Sequence, residues 1–537
     1  DRPLEDSGCR FCGACLDLCP TGALAERRAR WSGPAERSVK TICPYCSSNC
    51  RIEIDAAGGR ILRSRGLDCR LCVLGRFGLD FVHHGRLERP MIRRGGRLVE
   101  VGWEEAMDYV AESLEGLGPG RVAMLVSGVL SNEALCAAEI LAEPAMGCSP
   151  VAPDIATCFS IREIVQGPSL AVGDLAETNP AMELALRSAG PVVVSARRTP
   201  LSERASFWIR PQPGEEAAAL EALAEASLGK KMRASPDQEE IWRASRTLGG
   251  GAVIIGPDCD GDVRRAGGML AEAVGGRLCL VGRSCNSMGS AALGLHRGYE
   301  EALCSLRAGG LRAAYIAGLN PAREDPSLSA CLSGLELLVV QDLFLTETAA
   351  LADAVLPASS FAEIDGTITS SDGRMLQLSP ALPTIGRPDA QILSDLCRRL
   401  GIRGPEDPSA LQAEASRRIQ RGISEAHFQA DLAAPSRSAS ERDSYMLIKG
   451  PSLFSFGSST RTSRVHDLRY LADKRRVTIH PQDARDLGIV DGQTVTLETA
   501  SMGIQARCRI SMAVPRGSLY LPGGDGRATG VRVRPNV

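Results

Sequence analysis

The sequence predicts an α/β multidomain protein that ends in a β-barrel domain. Three observations predict it. Nine of the nineteen cysteines fall within the first 72 residues, which sets a cysteine-rich front end apart from the rest. From about residue 120 to 400, short apolar runs alternate with amphipathic helical stretches, the pattern of parallel α/β sheets. From Met446 the character changes to short strands between Gly and Pro turns, as in a small closed sheet. A chain of 537 residues exceeds what one hydrophobic core supports, so several domains are expected.

Taken in order, residues 1–38 form a small Cys-rich module with the spacing Cys9-x2-Cys12-x2-Cys15-x3-Cys19-Pro20, followed by a basic, Trp-containing stretch. Residues 39–95 carry a second set, Cys43-x2-Cys46-x3-Cys50, then Cys69 and Cys72. Within that set Arg51–Asp55 alternates as a strand, Gly58-Gly59 makes a turn and Ile61-Leu62 starts the return strand, so the cysteine loop sits on a hairpin. Trp103–Leu114 has apolar residues three and four apart, a helix signal. Residues 96–402 read as an α/β body of two Rossmann-like lobes. Its strands are Val122–Val126, Pro191–Ser195, Ala252–Gly256, Ala313–Ala317 and Leu337–Gln341, and its helices include Glu215–Ala226 and Asp389–Leu400. Residues 403–443, rich in Ser, Arg and Ala, read as a linker. Residues 444–537 read as the barrel, with strands at Val477–Ile479, Thr494–Leu497, Gln505–Ile510 and Gly517–Leu521.

Short loops with these spacings let several thiolates converge on one small inorganic cube, so the cofactors expected are 4Fe-4S clusters. One such motif alone fits a zinc knuckle as well; two in succession point to electron transfer. In two-cluster ferredoxins the fourth cysteine of the first kind of run ligates the other cluster. Cys19 would then serve a neighbouring centre and Cys9, Cys12 and Cys15 would need a remote fourth ligand. Because the chain opens at Asp1 without Met, a preceding half-domain is expected.

Lys and Arg number 62 against 64 Asp and Glu, a net charge of −2, which gives no electrostatic case for nucleic acid or an anionic membrane. No apolar run approaches the roughly 18–20 residues of a membrane span. Cysteine usage of this kind is that of a cytoplasmic protein rather than a secreted disulfide framework. Cys136, Cys148, Cys279, Cys304, Cys331, Cys397 and Cys508 read as small buried residues, and Cys259 and Cys285 as structural.

Several segments resemble the molybdopterin oxidoreductase superfamily. Residues Asp1–Cys15 and Cys19-Pro-Thr-Gly-Ala-Leu24 look like the second half of the ferredoxin-like domain that precedes the catalytic part of cytoplasmic NAD-linked formate dehydrogenases. Thr41-Ile-Cys-Pro-Tyr-Cys46 and Cys72-Val-Leu-Gly-Arg-Phe-Gly78 resemble the family's 4Fe-4S domain. Gly318-Leu-Asn-Pro321, the stretch Val340–Pro357 and Phe361-Ala-Glu-Ile-Asp-Gly-Thr367 are similar to the body, and His480–Gly488 with Asp491-Gly492 to the C-terminal pterin-domain barrel. The resemblance spans essentially the whole chain. It implies that Cys43, Cys46, Cys50 and Cys72 hold one cluster, with Gly75-Arg-Phe-Gly78 favouring Cys72 over Cys69 as the fourth ligand. It also implies a place for Glu347, Thr348 and Asp353 in the body's packing and for His83-His84 at a helix end. The large iron–sulfur subunit of complex I shares this resemblance without molybdopterin.

Departures from the formate dehydrogenase pattern decide between the two. The family's relay Lys in Cys-Val-Lys-Gly is Leu74 here. The best match to the catalytic Cys or selenocysteine is Cys158, but the His that follows is Phe159. Only ten residues separate Cys158 from Ser169, where the resemblance implies a longer Gly-rich loop, and the segment Gly282–Gly289 is rewritten. Asp372-Gly373-Arg374 also looks closer to the complex I version than to the Arg-Arg of the enzymes. The expectation is therefore an electron-transfer subunit of an NAD(P)H-linked oxidoreductase complex, with flavoprotein and other iron–sulfur subunits as partners, no catalytic residue and no molybdopterin. The alternative is an active Mo or W formate dehydrogenase with Cys158 on the metal. A scaffold with vestigial clusters is a third, opposed by the intact ligand sets.

Overall fold

The computed structural model describes residues 4, 9–26, 29–68, 71–230, 238–405, 407–425, 445–473, 476–498, 503–523 and 528–535. The chain divides into two compact units. One comprises residues 1–158, 282–428 and 458–465, the other residues 159–281, 429–457 and 466–537.

In the first unit a three-stranded antiparallel sheet, Arg37–Ile42, Arg51–Ala57 and Arg60–Gly66 in that order, carries the second cysteine motif. Ile42, Ile52, Ile54 and Ala56 are buried, the period-two pattern that fixes the register of a half-buried sheet. Gly58 and Gly59 adopt φ 57° and 70°, which a two-residue hairpin turn of this hand requires and a side chain resists.

The body of this unit is a seven-stranded sheet. Its order is Arg97–Glu100, Met91–Arg94, Ala354–Pro357, Leu337–Asp342, Ala313–Ala317, Val122–Val126 and Pro150–Val151. The first two strands are an antiparallel hairpin on the edge and the other five are parallel. Both faces are covered, as parallel sheets require. Helices Trp103–Leu117, Asn132–Met146 and Asp389–Arg399 pack Met107, Val110, Leu114, Leu135, Leu141, Ile392 and Leu396 against Met124, Val126, Tyr315, Val339 and Leu356 on one face. On the other, Leu303, Leu306, Leu328 and Leu332 meet Leu125, Ile316, Leu338 and Val340. The helix Asn132–Met146 starts where Ser131 accepts the Ala134 N–H at 3.2 Å and stops at left-handed Gly147, standard N- and C-cap chemistry.

The second unit holds a five-stranded parallel sheet, ordered Phe207–Ile209, Val192–Val194, Ser169–Val172, Ala252–Ile255 and Arg277–Leu280. It also holds the closed barrel, six strands between Tyr445 and Pro535 with Leu447, Val477, Ile479, Val495, Leu497 and Leu519 inside. Among the described residues no helix is long and apolar enough to cross a membrane.

Two expectations are corrected. The stretch read as a linker, 403–443, contains the helix Pro408–Glu425, whose Leu411, Ala415 and Ile419 are buried one turn apart; residues 426–443 lie outside the described residues. Cys304, read as buried, is exposed, and Cys148 and Cys331 are only partly buried.

Candidate metal centre

The loop Cys43–Cys50 hangs between the first two strands of the small sheet. It is pinched by the Cys43 N–H, which donates to the Cys50 carbonyl at 2.9 Å, and reversed at Asn49, φ 48°. Three side chains anchor it. Tyr45 donates to the Gly78 carbonyl at 2.5 Å, Ser47 to the Gly282 carbonyl at 2.6 Å and Asn49 to the Cys285 carbonyl at 2.6 Å. Cys72 stands at the N-terminus of the short helix Val73–Phe77. Gly75, one turn on, is so close to the loop that a Cβ there would touch the Cys43 sulfur at 3.4 Å.

Cys43 and Cys46 are buried, and Cys50 and Cys72 partly so. Burial pushes the Cys43 thiol well above its ordinary range, with Cys72 and Cys46 adding repulsion. Burial likewise pushes Cys72 up to about 11, reinforced by Cys46 and opposed by the N–H groups of Gly75 and Leu74. Three of the four sulfurs therefore lie within each other's fields. Thiols held this way are protonated without metal, and iron binding displaces the protons. Backbone N–H groups of Leu74 and Gly75 point at Cys72 and that of Tyr45 at Cys43, the kind of donor that stabilises a thiolate ligand of an iron–sulfur cluster. Cys69 lies outside the described residues. Among the described residues no group of three or more Cys, His, Asp or Glu side chains is arranged to hold a single metal ion.

In the N-terminal module a single helical turn, Ala14–Asp17, follows left-handed Gly13. Cys9 and Cys15 are exposed, Cys12 and Cys19 partly so. The Phe11 N–H points at the Cys9 sulfur (3.4 Å) and the Leu24 N–H at the Cys19 sulfur (3.5 Å). The Leu24 N–H and then the Thr21 hydroxyl hold Cys19 down to about 7. Arg76, 4% exposed, ties this module to the second motif: it donates to the Ser64 carbonyl at 2.7 Å and pairs with Asp17 at 3.0 Å and Glu26 at 2.6 Å.

His83 accepts the Ile61 N–H at 3.0 Å and His84 pairs with Asp80 at 2.7 Å. Glu347 pairs with Arg323, Thr348 donates to Asn320 and Asp353 caps the Leu338 N–H. All five are engaged in local hydrogen bonds or ion pairs.

In the body, Leu74 is buried and Cys158 is exposed, its sulfur 3.3 Å from where a Cβ on Gly373 would stand. Phe159 belongs to the apolar core of the second unit, with Ile164, Leu175 and Leu201. The segment Gly282–Gly289 is closed on itself. Asp154, 4% exposed, accepts from Gly128 N, Ser284 N and Oγ and Ser287 Oγ at 2.7–3.2 Å. Asn286 donates to the Leu130 carbonyl and accepts the Thr369 N–H at 2.8 Å each. Asn132 and Glu133 complete the network with Thr367 and Thr369. Sequence reasoning singled out this segment but missed Asp154, which has no spacing signal.

The five-stranded sheet reverses its order at the strands Ser169–Val172 and Ala252–Ile255, the place where doubly wound sheets leave a ligand crevice. Here the loops beyond those strands interlock. Asp174 N–H donates to Asp258 at 2.9 Å, and a Cβ on Gly173 would stand 2.7 Å from that carboxylate. Arg197 pairs with Asp174 and lies 4.4 Å over the ring of Tyr520, whose hydroxyl donates to the Pro451 carbonyl at 2.5 Å.

Comparison with known proteins gives three domain matches: Molybdopterin oxidoreductase Fe4S4 domain over residues 36–84, Molybdopterin oxidoreductase over 86–168 and 215–399, and Molydopterin dinucleotide binding domain over 445–537. The chain is 27% identical to NADH-quinone oxidoreductase subunit 3 of Thermus thermophilus, over 98% of this chain and 71% of that protein. It is 22% identical to F420-dependent formate dehydrogenase 1 subunit alpha of Methanococcus maripaludis, over 90% of this chain and 94% of that one. Acetylene hydratase from Pelobacter acetylenicus shares the fold, with a TM-score of 0.65 at 15% identity over 90% of this chain and 92% of that one.

Proposed function

Since this chain belongs to the molybdopterin oxidoreductase family, we propose that it is an iron–sulfur electron-transfer subunit of a multi-subunit NAD(P)H-linked oxidoreductase, and that its body no longer holds molybdopterin. The observation that carries this reading is a contrast within the first unit. The cysteine loop and Cys72 bring Cys43, Cys46 and Cys72 within each other's fields, whereas Ser284, Asn286 and Ser287 of Gly282–Gly289 spend their polar groups on Asp154, the Leu130 carbonyl and Thr369. A pterin cofactor with nucleotide pyrophosphates needs donors left free for phosphate. In this reading Ser284, Asn286 and Ser287 no longer offer such donors.

A 4Fe-4S cluster at Cys43, Cys46, Cys50 and Cys72 supplies one-electron chemistry when bound. The chain's own residues set its environment: Ile42, Tyr45, Leu71, Val73 and Leu74 exclude water, and backbone N–H groups of Leu74 and Gly75 donate to Cys72. In the same reading Cys9, Cys12 and Cys15 serve a second cluster and Cys19 a neighbouring one. The partners are a flavoprotein that handles NAD(H) and other iron–sulfur subunits, and the site of action is the cytoplasm. Exposed Cys158 supports a second reading, a Mo or W formate dehydrogenase. Purification of the native assembly tests the two: a co-purifying flavoprotein and NAD(P)H-dependent cluster reduction support the first, and turnover of formate by this chain alone overturns it.

A further inference from the structure

Residues 458–465 belong to the first unit, although the chain on either side belongs to the second. This short strap is pinned at several points. Asn320 donates to Thr460 Oγ1 at 3.0 Å. The Arg464 guanidinium lies 3.9 Å over the Phe344 ring and donates to the Thr460 carbonyl at 2.5 Å. Thr462 is buried.

So held, the strap delivers Arg461 to the cysteine loop. Arg461 donates to the carbonyl of Pro44 at 3.1 Å; Pro44 lies between Cys43 and Cys46. Its guanidinium stands 5.6 Å from the ring centre of Phe81, which meets Tyr45 edge-on at 6.1 Å. The positive charge is felt by the Tyr45 phenol and by the Cys285 thiol, the latter itself in the field of Cys46. Leu74 supplies no charge, Arg76 is matched by Asp17 and Glu26, and Arg10 of the N-terminal module acts on Cys72. Among the described residues no carboxylate lies within 4.0 Å of the Arg461 guanidinium. The buried acids Asp342 and Asp389 feel it from farther away.

We propose that Arg461 is a charge-setting residue of the cluster at Cys43, Cys46, Cys50 and Cys72. Reduction adds one electron and makes or breaks no bond. A cation held against the buried cysteine loop stabilises the added negative charge, so Arg461 raises the reduction potential of that centre. This rests on the cluster assignment above.

The test is a potentiometric titration of the holoprotein, read by EPR of the reduced cluster, for wild type, Arg461→Gln and Arg461→Lys. Gln keeps a side-chain N–H for the Pro44 carbonyl and loses the charge; Lys keeps the charge and loses the planar guanidinium. The potential should shift to lower values in Arg461→Gln and stay near wild type in Arg461→Lys, with iron content unchanged in both. A Gln variant at the wild-type potential, or Gln and Lys variants that shift alike, overturns the proposal. So does loss of iron from both, which makes Arg461 only a strap. A wild-type protein without a 4Fe-4S signal overturns the cluster assignment instead.

Discussion

Arg76 donates to the Asp17 carboxylate at 3.0 Å across 59 positions of sequence, and so fastens the helix after Cys72 to the turn between Cys15 and Cys19. The same guanidinium meets Glu26 and the Ser64 carbonyl, and the Gly13 backbone packs against its side chain. Replacing Arg76 by Gln removes charge-assisted bonds worth about 1.5–3 kcal/mol. Limited proteolysis should then cut within residues 1–38 faster than in wild type while the rest of the chain resists. Equal cleavage rates would mean that the module is held by other contacts.

Cys72→Ser should remove or shift one reduced-cluster EPR signal, because Cys72 lies in the field of Cys43 and Cys46 and beside the Gly75 N–H. Cys69→Ser should leave that signal in place. The reverse pattern makes Cys69 the ligand.

The pair Arg86–Glu363 is 2.7 Å long with both side chains almost fully buried, and Arg86 also donates to the Ala358 carbonyl at 3.1 Å. Arg86→Ala strands a buried carboxylate and should destabilise the first unit by about 3–5 kcal/mol. Arg94→Ala breaks an exposed pair with Glu105 and should cost less than about 1 kcal/mol. Denaturant midpoints of the two variants check this, and equal losses would contradict it.

Burial pushes Asp389 up to about 6, against the Gln341 amide that donates to it and the charge of Arg461; Asp342 is pushed to about 6 in the same way. Both are raised above the unfolded value of 3.8. The native state therefore holds more protons than the unfolded state between about pH 4 and 6, and stability falls as pH rises through that window. Each group contributes up to about 3 kcal/mol. Asp389→Asn keeps an acceptor for Gln341 and should flatten the decline. An unchanged slope of unfolding free energy over pH 4–6 would show that Asp389 does not titrate there.

The cysteine motifs were legible because a short loop fixes where its sulfurs can go. The strands Val122–Val126, Ala313–Ala317 and Leu337–Asp342 were legible because a parallel sheet covered on both faces demands unbroken apolar runs. The helix Pro408–Glu425 was not: its buried stripe is only Leu411, Ala415 and Ile419 in a Ser- and Arg-rich stretch. Arg461 was not either. It reaches Pro44 across 417 positions, and no local pattern marks an arginine that acts so far along the chain. Asp154 was hidden for the same reason: its partners Ser284 and Ser287 are joined to it only by the fold.

The most direct measurement is elemental analysis of the native protein, purified without oxygen, beside an assay for formate-dependent dye reduction. An electron-transfer subunit with a closed pterin site should contain iron and sulfide, no molybdenum or tungsten, and no formate activity. Near-stoichiometric molybdenum or tungsten, with formate-dependent dye reduction that is lost in Cys158→Ala, would contradict it and make the chain a dehydrogenase.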